Sequence, residues 1–510
     1  MAPGVRLPLP PVPHGSPPHP ALAPSGGAGT PFQVVPATTR RLLLGWLGLA
    51  IGSLVVAGPF AALAAFARTP AVQLLPSANA FHLALVAHVT FAFTVWFVAF
   101  AGALWVYAAW RAGYPLSPAP SRVGLTAAAT GALLMAVPAF TGSGKPYLSD
   151  YVPAIDHPLF WAGLALTGLG VSLQALAYLV ALAKSRRRAG PADGPEGLGM
   201  AAGALGMLLA GAVLVVALAR LDSGLPFGYR LRALFWGSGH LLQFLHVAGM
   251  VSVWLVAAAV AVGALPPARR VLRGCVWALV PFMVLTAASY LWWRPEALLI
   301  NHLVTLVSFG GLGATATPIA FMLIAACTLS PAGSLTARPR LPWSSPLFSG
   351  AALSIALFAL GGVLGVVGFN QDTRVPAHYH GMVGAVTLAY MGLAPTLLEL
   401  CGRRPWRPWL TRWQPYLYGL GLLGIMAGMH WAGSHGAPRK TFGFKWADAQ
   451  ALVAMNLMGF GSLLAILGGL AFVVNLGIPL VTSSGAGSPK RSSPLDPHVG
   501  VERPQVCLLP

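Results

Sequence analysis

The chain has 510 residues, 56 % of them hydrophobic and 8 % charged, with a formal net charge of +20. Its mean hydropathy of +0.72 lies outside soluble globular usage. The basic excess does not indicate nucleic-acid binding, because the cations fall between long apolar runs.

Residues 1–38 are rich in Pro, Ala, Gly and Ser and have no charged segment leading to a cleavage site. They are expected to form a disordered cytoplasmic arm, not a signal peptide. A membrane domain is expected over 39–482 and a second loose tail over 483–510. Within the domain, twelve apolar segments are long enough to cross a bilayer. They lie near 42–68, 80–109, 124–141, 157–183, 197–219, 235–263, 274–292, 298–326, 346–369, 377–400, 414–433 and 448–480.

Arg40 and Arg41 precede the first of these spans. Arg111 and Arg122 follow the second. Lys184 and Arg186 to Arg188 follow the fourth, and Arg269, Arg270 and Arg273 the sixth. Arg338 and Arg340 follow the eighth, Arg403, Arg404, Arg407 and Arg412 the tenth, and Lys490 and Arg491 the twelfth. If the spans alternate, all of these fall on one side. That is the positive-inside pattern, and it places both termini in the cytoplasm. The four cysteines, Cys275, Cys327, Cys401 and Cys507, have neither ligand nor disulfide spacing.

The histidines favour the opposite, outer ends. His82 and His88 lie in the second span, His157 at the start of the fourth, His240 and His246 in the sixth, and His302 at the start of the eighth. His378 and His380 open the tenth span, and His430 and His435 close the eleventh. Polar groups at membrane depth are costly and are functional suspects. Their convergence suggests a shared cofactor layer, for which imidazole is a common iron ligand. His88 is a lone imidazole in an apolar helix, between the small residues Ala87 and Ala92. As a packing residue it needs hydrogen-bond partners on both nitrogens; as a ligand it needs one fewer.

The densest motif is Val375-Pro376-Ala377-His378-Tyr379-His380, at the mouth of the apolar run Gly381 to Leu400. Two histidines separated by one residue point about 200° apart on a helix. One helix can thus hold something on each side, although two interfacial histidines would share this spacing.

With His88 in the second span and Gly239-His240 in the sixth, this motif resembles subunit I of the haem–copper oxidase superfamily. Gly428-Met429-His430-Trp431-Ala432-Gly433, followed by Pro438-Arg439-Lys440, resembles its B-type branch. The resemblance covers about residues 40–480 and implies an all-α polytopic membrane protein with a twelve-helix subunit I-like bundle. It implies two haems, of b and/or a type. His88 and His380 would ligate a six-coordinate low-spin iron, and His378 a five-coordinate high-spin iron on the other face of the tenth span. Arg439 and Lys440 would face haem propionates, Lys440 standing where the family usually has a second arginine.

The superfamily's second metal takes one histidine from the sixth span and an adjacent pair near the end of the seventh. His240 matches the first. The segment Leu285 to Trp293 contains no histidine and no carboxylate. The tyrosine usual four residues after the first ligand is Phe244 here. His302 is the remaining candidate for a rebuilt site with His240, so copper or non-haem iron stays open and its absence is favoured. Thr305, Ser308, Thr315 and Thr317 in the eighth span resemble a polar proton path, but hydroxyls also pack ordinarily between membrane helices.

The resemblance implies a respiratory oxidoreductase subunit passing electrons from a cytochrome c or quinol donor to O2 or NO, with His378 and His240 as catalytic candidates. The alternatives are a catalytically silent dihaem electron-transfer, gas-sensing or assembly subunit, and a nitric oxide reductase with a rebuilt metal site. A haem-free transporter is a further alternative. The expected setting is a bacterial or archaeal cytoplasmic membrane, with a small cytochrome c- or cupredoxin-type subunit at the outer face, membrane lipid around the bundle and no nucleic acid.

Overall fold

The structure is a computed structural model that describes residues 35–72, 77–150, 152–189, 195–262, 269–328, 341–367, 372–442 and 448–482. The tail over 483–510, with Lys490 and Arg491, lies outside these residues, as do Arg338, Arg340 and the side chains of Arg186 to Arg188 and Arg269. Nearly all of the expected arm lies outside them too. Its last residues, Ala37 and Thr38, already belong to the first helix.

Eleven described helices are long and apolar enough to cross a bilayer. In chain order they are Ala37–Arg68, Ala78–Arg111, Pro118–Thr141, Pro158–Ser185, Gly199–Arg220, Phe227–Val260, Arg270–Trp292, Leu298–Thr328, Pro346–Val367, Arg374–Leu400 and Ala449–Val481. Between the last two lies Pro408–Ser434, a helix of 27 residues. At about 1.5 Å per residue it also has the length to span. Trp409, Arg412, Trp413 and Gln414 make its first turns less apolar. With it as the eleventh, the helices correspond one to one with the twelve expected spans, and the chain is an all-α multi-pass membrane bundle.

Several helices begin earlier than their apolar runs. The third and eleventh start at Pro118 and Pro408, since proline suits the first helical turn, where its missing N–H is not needed. Consecutive spans pack most closely as antiparallel pairs, notably three with four, five with six, nine with ten and eleven with twelve. Small residues permit this approach. A Cβ on Gly131 would meet the Gly163 carbonyl at 2.4 Å, and one on Gly381 would meet the Gly361 Cα at 2.6 Å.

Burial separates the spans into two groups. In the most apolar window of spans two, six and ten, 67 %, 89 % and 83 % of residues are buried, against 28–50 % for the other spans in the apolar set. A helix that is apolar all round belongs inside a bundle. Spans two, six and ten are therefore its axis. Span two also changes pitch. Thr90–Val95 is π-helical, beginning two residues after His88. A π turn of this kind re-aims the side chains that follow it and is frequent at functional sites.

A short antiparallel hairpin joins spans three and four. Strand β1, Lys145–Tyr147, pairs with β2, Ala154–Asp156, in the register Pro146 to Ile155. It lies at the histidine-bearing end and carries Asp150 between its strands.

Candidate functional site

The tenth span presents its two histidines as their spacing requires. His380 uses Nδ1 on the Pro376 carbonyl one turn earlier, at 2.7 Å. With the N–H at that nitrogen, Nε2 is left as a bare lone pair. His378 uses Nδ1 on the Gly361 carbonyl of span nine, also at 2.7 Å. Its ring lies in a notch made by Gly365, where a Cβ would meet His378 Nδ1 at 2.6 Å. Phe309 of span eight stacks on it at 6.0 Å and 18°. Both rings are thus oriented through one nitrogen, which is how iron- or zinc-ligating histidines are commonly held.

His88 of span two stands near enough to His380 for their charges to interact, and its Nδ1 side faces the Ala57 carbonyl of span one. That nitrogen is buried without a hydrogen bond of ordinary geometry. His88, His378 and His380 are all half-buried within the most buried part of the bundle. His88 and His380 are within reach of each other's charge and His378 is bonded towards span nine, so these three imidazoles are the residues here that could hold iron.

The entry to span ten is braced by the motif that closes span eleven. Thr373 donates from its hydroxyl to the Met429 carbonyl at 2.7 Å and from its N–H to the Ala437 carbonyl at 3.0 Å. Asp372 bridges to Pro438 and holds Arg374 at 2.8 Å. Its carboxyl sits below the usual range: burial raises it, and the bonds from Arg374 outweigh burial.

The profile of the family described as Cytochrome C and Quinol oxidase polypeptide I matches residues 41–470. The chain belongs to the cytochrome c and quinol oxidase polypeptide I family. A solved heme-copper terminal oxidase dimer is similar with a TM-score of 0.74 over 88 % of this chain and 85 % of that one, at 18 % identity. An uncharacterized protein of Aquifex aeolicus is 27 % identical over 357 residues, 70 % of this chain and 84 % of its own length. Cytochrome c oxidase subunit 1 of Thermus thermophilus is 31 % identical over 130 residues, 23 % of each chain.

The fold is thus haem–copper oxidase subunit I-like, and family membership gives the chain a general membrane redox character. Around the second-metal position the side chains differ from the superfamily pattern. His240 is buried and uses Nδ1 on the Trp236 carbonyl at 2.6 Å. Opposite it, the inner face of span seven is Met283, Thr286 and Tyr290, each fully buried. The Tyr290 ring fills the gap beside span six, where a Cβ on Gly237 would meet its hydroxyl at 2.6 Å. Thr286 Oγ1 and the Tyr290 hydroxyl are buried without a hydrogen bond of ordinary geometry. Among the described residues no three His, Cys, Asp or Glu side chains stand together as a metal site. This donor set fits no second metal, and the packing of Tyr290 was not visible in the sequence of span seven.

His302 does not rescue the site. Ile300 and Val304 are fully buried, and His302 between them is exposed. Two residues off a buried pair on a helix is about 200° away from its face. Phe244 packs with Phe282 against Gly311 of span eight, as an apolar ring should. The hydroxyl stripe of span eight is also shorter than expected. Ser308 and Thr315 are buried, Thr305 is bonded back to the Asn301 carbonyl, and Thr317 faces outward.

Four of the other histidines make local contacts, while His430 Nδ1 is buried without a hydrogen bond of ordinary geometry. His157 accepts from the Leu159 N–H at the start of span four, His82 pairs with the Lys440 carbonyl, and His435 lies against Asp448. His246 lies edge-on between Phe93 and Phe97 of span two, at 5.3 and 4.8 Å. Arg439 and Lys440, read from sequence as facing propionates, both approach Asp150 of the hairpin, at 3.9 and 2.9 Å.

Proposed function

We propose that this chain is a dihaem electron-transfer and gas-binding member of its family that lacks the second metal. The observation that supports it best is the contrast between three imidazoles on spans two and ten, two of them oriented by backbone carbonyls, and a second-metal position packed with Tyr290 and Thr286. His88 and His380 would hold one haem iron from both sides, and His378 would hold a second from one side. A haem held on both sides accepts and passes an electron, while one held on a single side also offers a position to a small ligand.

The chain's own residues do the positioning. The Pro376 and Gly361 carbonyls orient His380 and His378 and keep their Nε2 atoms available. Gly365 and Phe309 hold the His378 ring in place. Arg439 and Lys440 supply positive charge at the histidine-bearing end, where haem carboxylates would lie. Tyr290 and Phe244 keep the span-six face apolar and closed.

In the bilayer, the histidine end is assigned to the outer face of a bacterial cytoplasmic membrane, with a small cytochrome c- or cupredoxin-type donor reaching it there. The test is purification followed by haem and metal stoichiometry, reduced carbon monoxide spectra, and turnover with oxygen and with nitric oxide. Two haems, carbon monoxide binding and negligible turnover are expected. Rapid sustained turnover with either gas would overturn the silent reading and restore that of an oxidase or nitric oxide reductase. A protein without haem would overturn both.

A further inference from the structure

At the histidine end a single carboxylate sits among three cations from distant parts of the chain. Asp150, on the hairpin between spans three and four, lies 2.9 Å from Lys440, 3.9 Å from Arg439 and 3.9 Å from Arg232 at the start of span six. Its side chain is 18 % exposed, so its pairs with Lys440 and Arg439 are shielded from solvent more than ordinary surface ion pairs, while Arg232 is exposed.

Lys440 is the one non-glycine residue with positive φ among those described, at 57°. This conformation is unfavourable for a side chain with a Cβ and persists where its surroundings enforce it. Here its Nζ is tied to Asp150 and to the Leu148 carbonyl, both at 2.9 Å, while its own carbonyl meets His82 at 3.3 Å. Arg68 of span one holds the same loop through the Pro438 and Thr441 carbonyls. The cations are therefore fixed in place.

The cluster reaches both spans that carry the candidate ligands of the first iron. His82 lies six residues before His88, about 9 Å along span two. Tyr379, between His378 and His380, hydrogen-bonds Arg439 and lies within the field of Asp150. Burial raises the Asp150 carboxyl, and Lys440, Arg439 and Arg232 together bring it below its ordinary value. It is thus a permanent negative charge at neutral pH.

We infer that Asp150 is a positioning residue that holds Lys440 and Arg439 over the edge of the haem between His88 and His380, and that its charge lowers the midpoint potential of that haem. The inference rests on the dihaem reading. A fixed negative charge disfavours adding an electron, and a fixed positive charge favours it, with little screening inside the bundle.

Optical redox titration of the purified, haem-loaded protein tests this. Asp150→Asn is expected to raise the midpoint of the low-spin haem, with a tenfold change in its oxidised-to-reduced ratio equivalent to about 59 mV for one electron. Lys440→Met is expected to lower it, and Asp150→Glu to leave it in place. Opposite signs from the two partners of one ion pair are not produced by a merely structural contact, which would disturb haem binding in the same direction. If Asp150→Asn cannot be purified with haem, Lys440→Met and Asp150→Glu carry the test. Midpoints unmoved by Lys440→Met, or moved upward by it, would overturn this inference while leaving the dihaem reading intact. A wild-type protein without haem would overturn that reading and this inference with it.

Discussion

Two regions of the bundle, one on spans two and ten and one on spans six and seven, differ in how their polar side chains are held. On spans two and ten, three imidazoles are held by backbone carbonyls or face one, and Gly365 clears the space for His378. On the face between spans six and seven, His240 is bonded to its own helix and Tyr290 fills the space beside Gly237. The first region is built for something to be inserted. The second is closed by its own side chains. The comparison teaches that within one bundle some polar side chains are set by backbone carbonyls while others are enclosed by ordinary core packing.

The comparison breaks most directly at the first region. His88→Ala and His380→Ala are each expected to abolish the low-spin haem spectrum and leave a high-spin signal, read in pyridine haemochrome and low-temperature absorbance. An unchanged low-spin spectrum in His88→Ala would move the ligand to His82. Next in size, His378→Ala is expected to remove carbon monoxide binding to the reduced protein and spare the low-spin spectrum. Normal carbon monoxide binding would place the gas-binding iron elsewhere.

The second region should respond weakly. His240→Ala is expected to leave both haem spectra intact. It costs roughly 1–3 kcal/mol of local stability through the buried hydrogen bond and packing contacts that the imidazole makes, measurable as a lower midpoint in thermal denaturation. Loss of a stoichiometric metal in this variant would show a rebuilt centre and sink the contrast. Tyr290→Phe removes a buried hydroxyl without a good partner and is expected to be neutral or stabilising by about 1 kcal/mol, on the same melting curve. A large destabilisation would show that the hydroxyl has a function.

The smallest expected effect is on pH. The Asp150 carboxyl is lowered in the folded protein because its cations outweigh its burial. Its contribution to stability is therefore complete above the unfolded carboxylate value, about 3.9, and is lost as pH falls through the lower folded value. Acid melting of wild type and Asp150→Asn should converge in that range and diverge above it. A divergence that instead grew as pH fell would contradict the sign.

The ligand region was legible because its information is local. The spacing of His378 and His380 sets their opposite directions through the helix period alone, and Pro376 supplies the carbonyl for His380 within one turn. The twelve spans were legible because a bilayer demands length and apolarity in each segment. His302 was not, since whether a residue on an apolar helix points in or out depends on which side its neighbours cover. Gly365 gave no signal until His378 was seen lying against it.

The sequence by itself determined the membrane class, the number of spans and the spacing of the three candidate ligands, all consequences of periods and lengths that act within one segment. Only the tertiary structure decided that spans two, six and ten form the axis, that Tyr290 closes the second-metal position, and that Lys440 meets Asp150 nearly three hundred residues away. Those outcomes depend on which helix faces are brought into contact. In a chain apolar on almost every face, close packing and the pairing of a few buried charges select the partners, and neither is written in the sequence around any single residue.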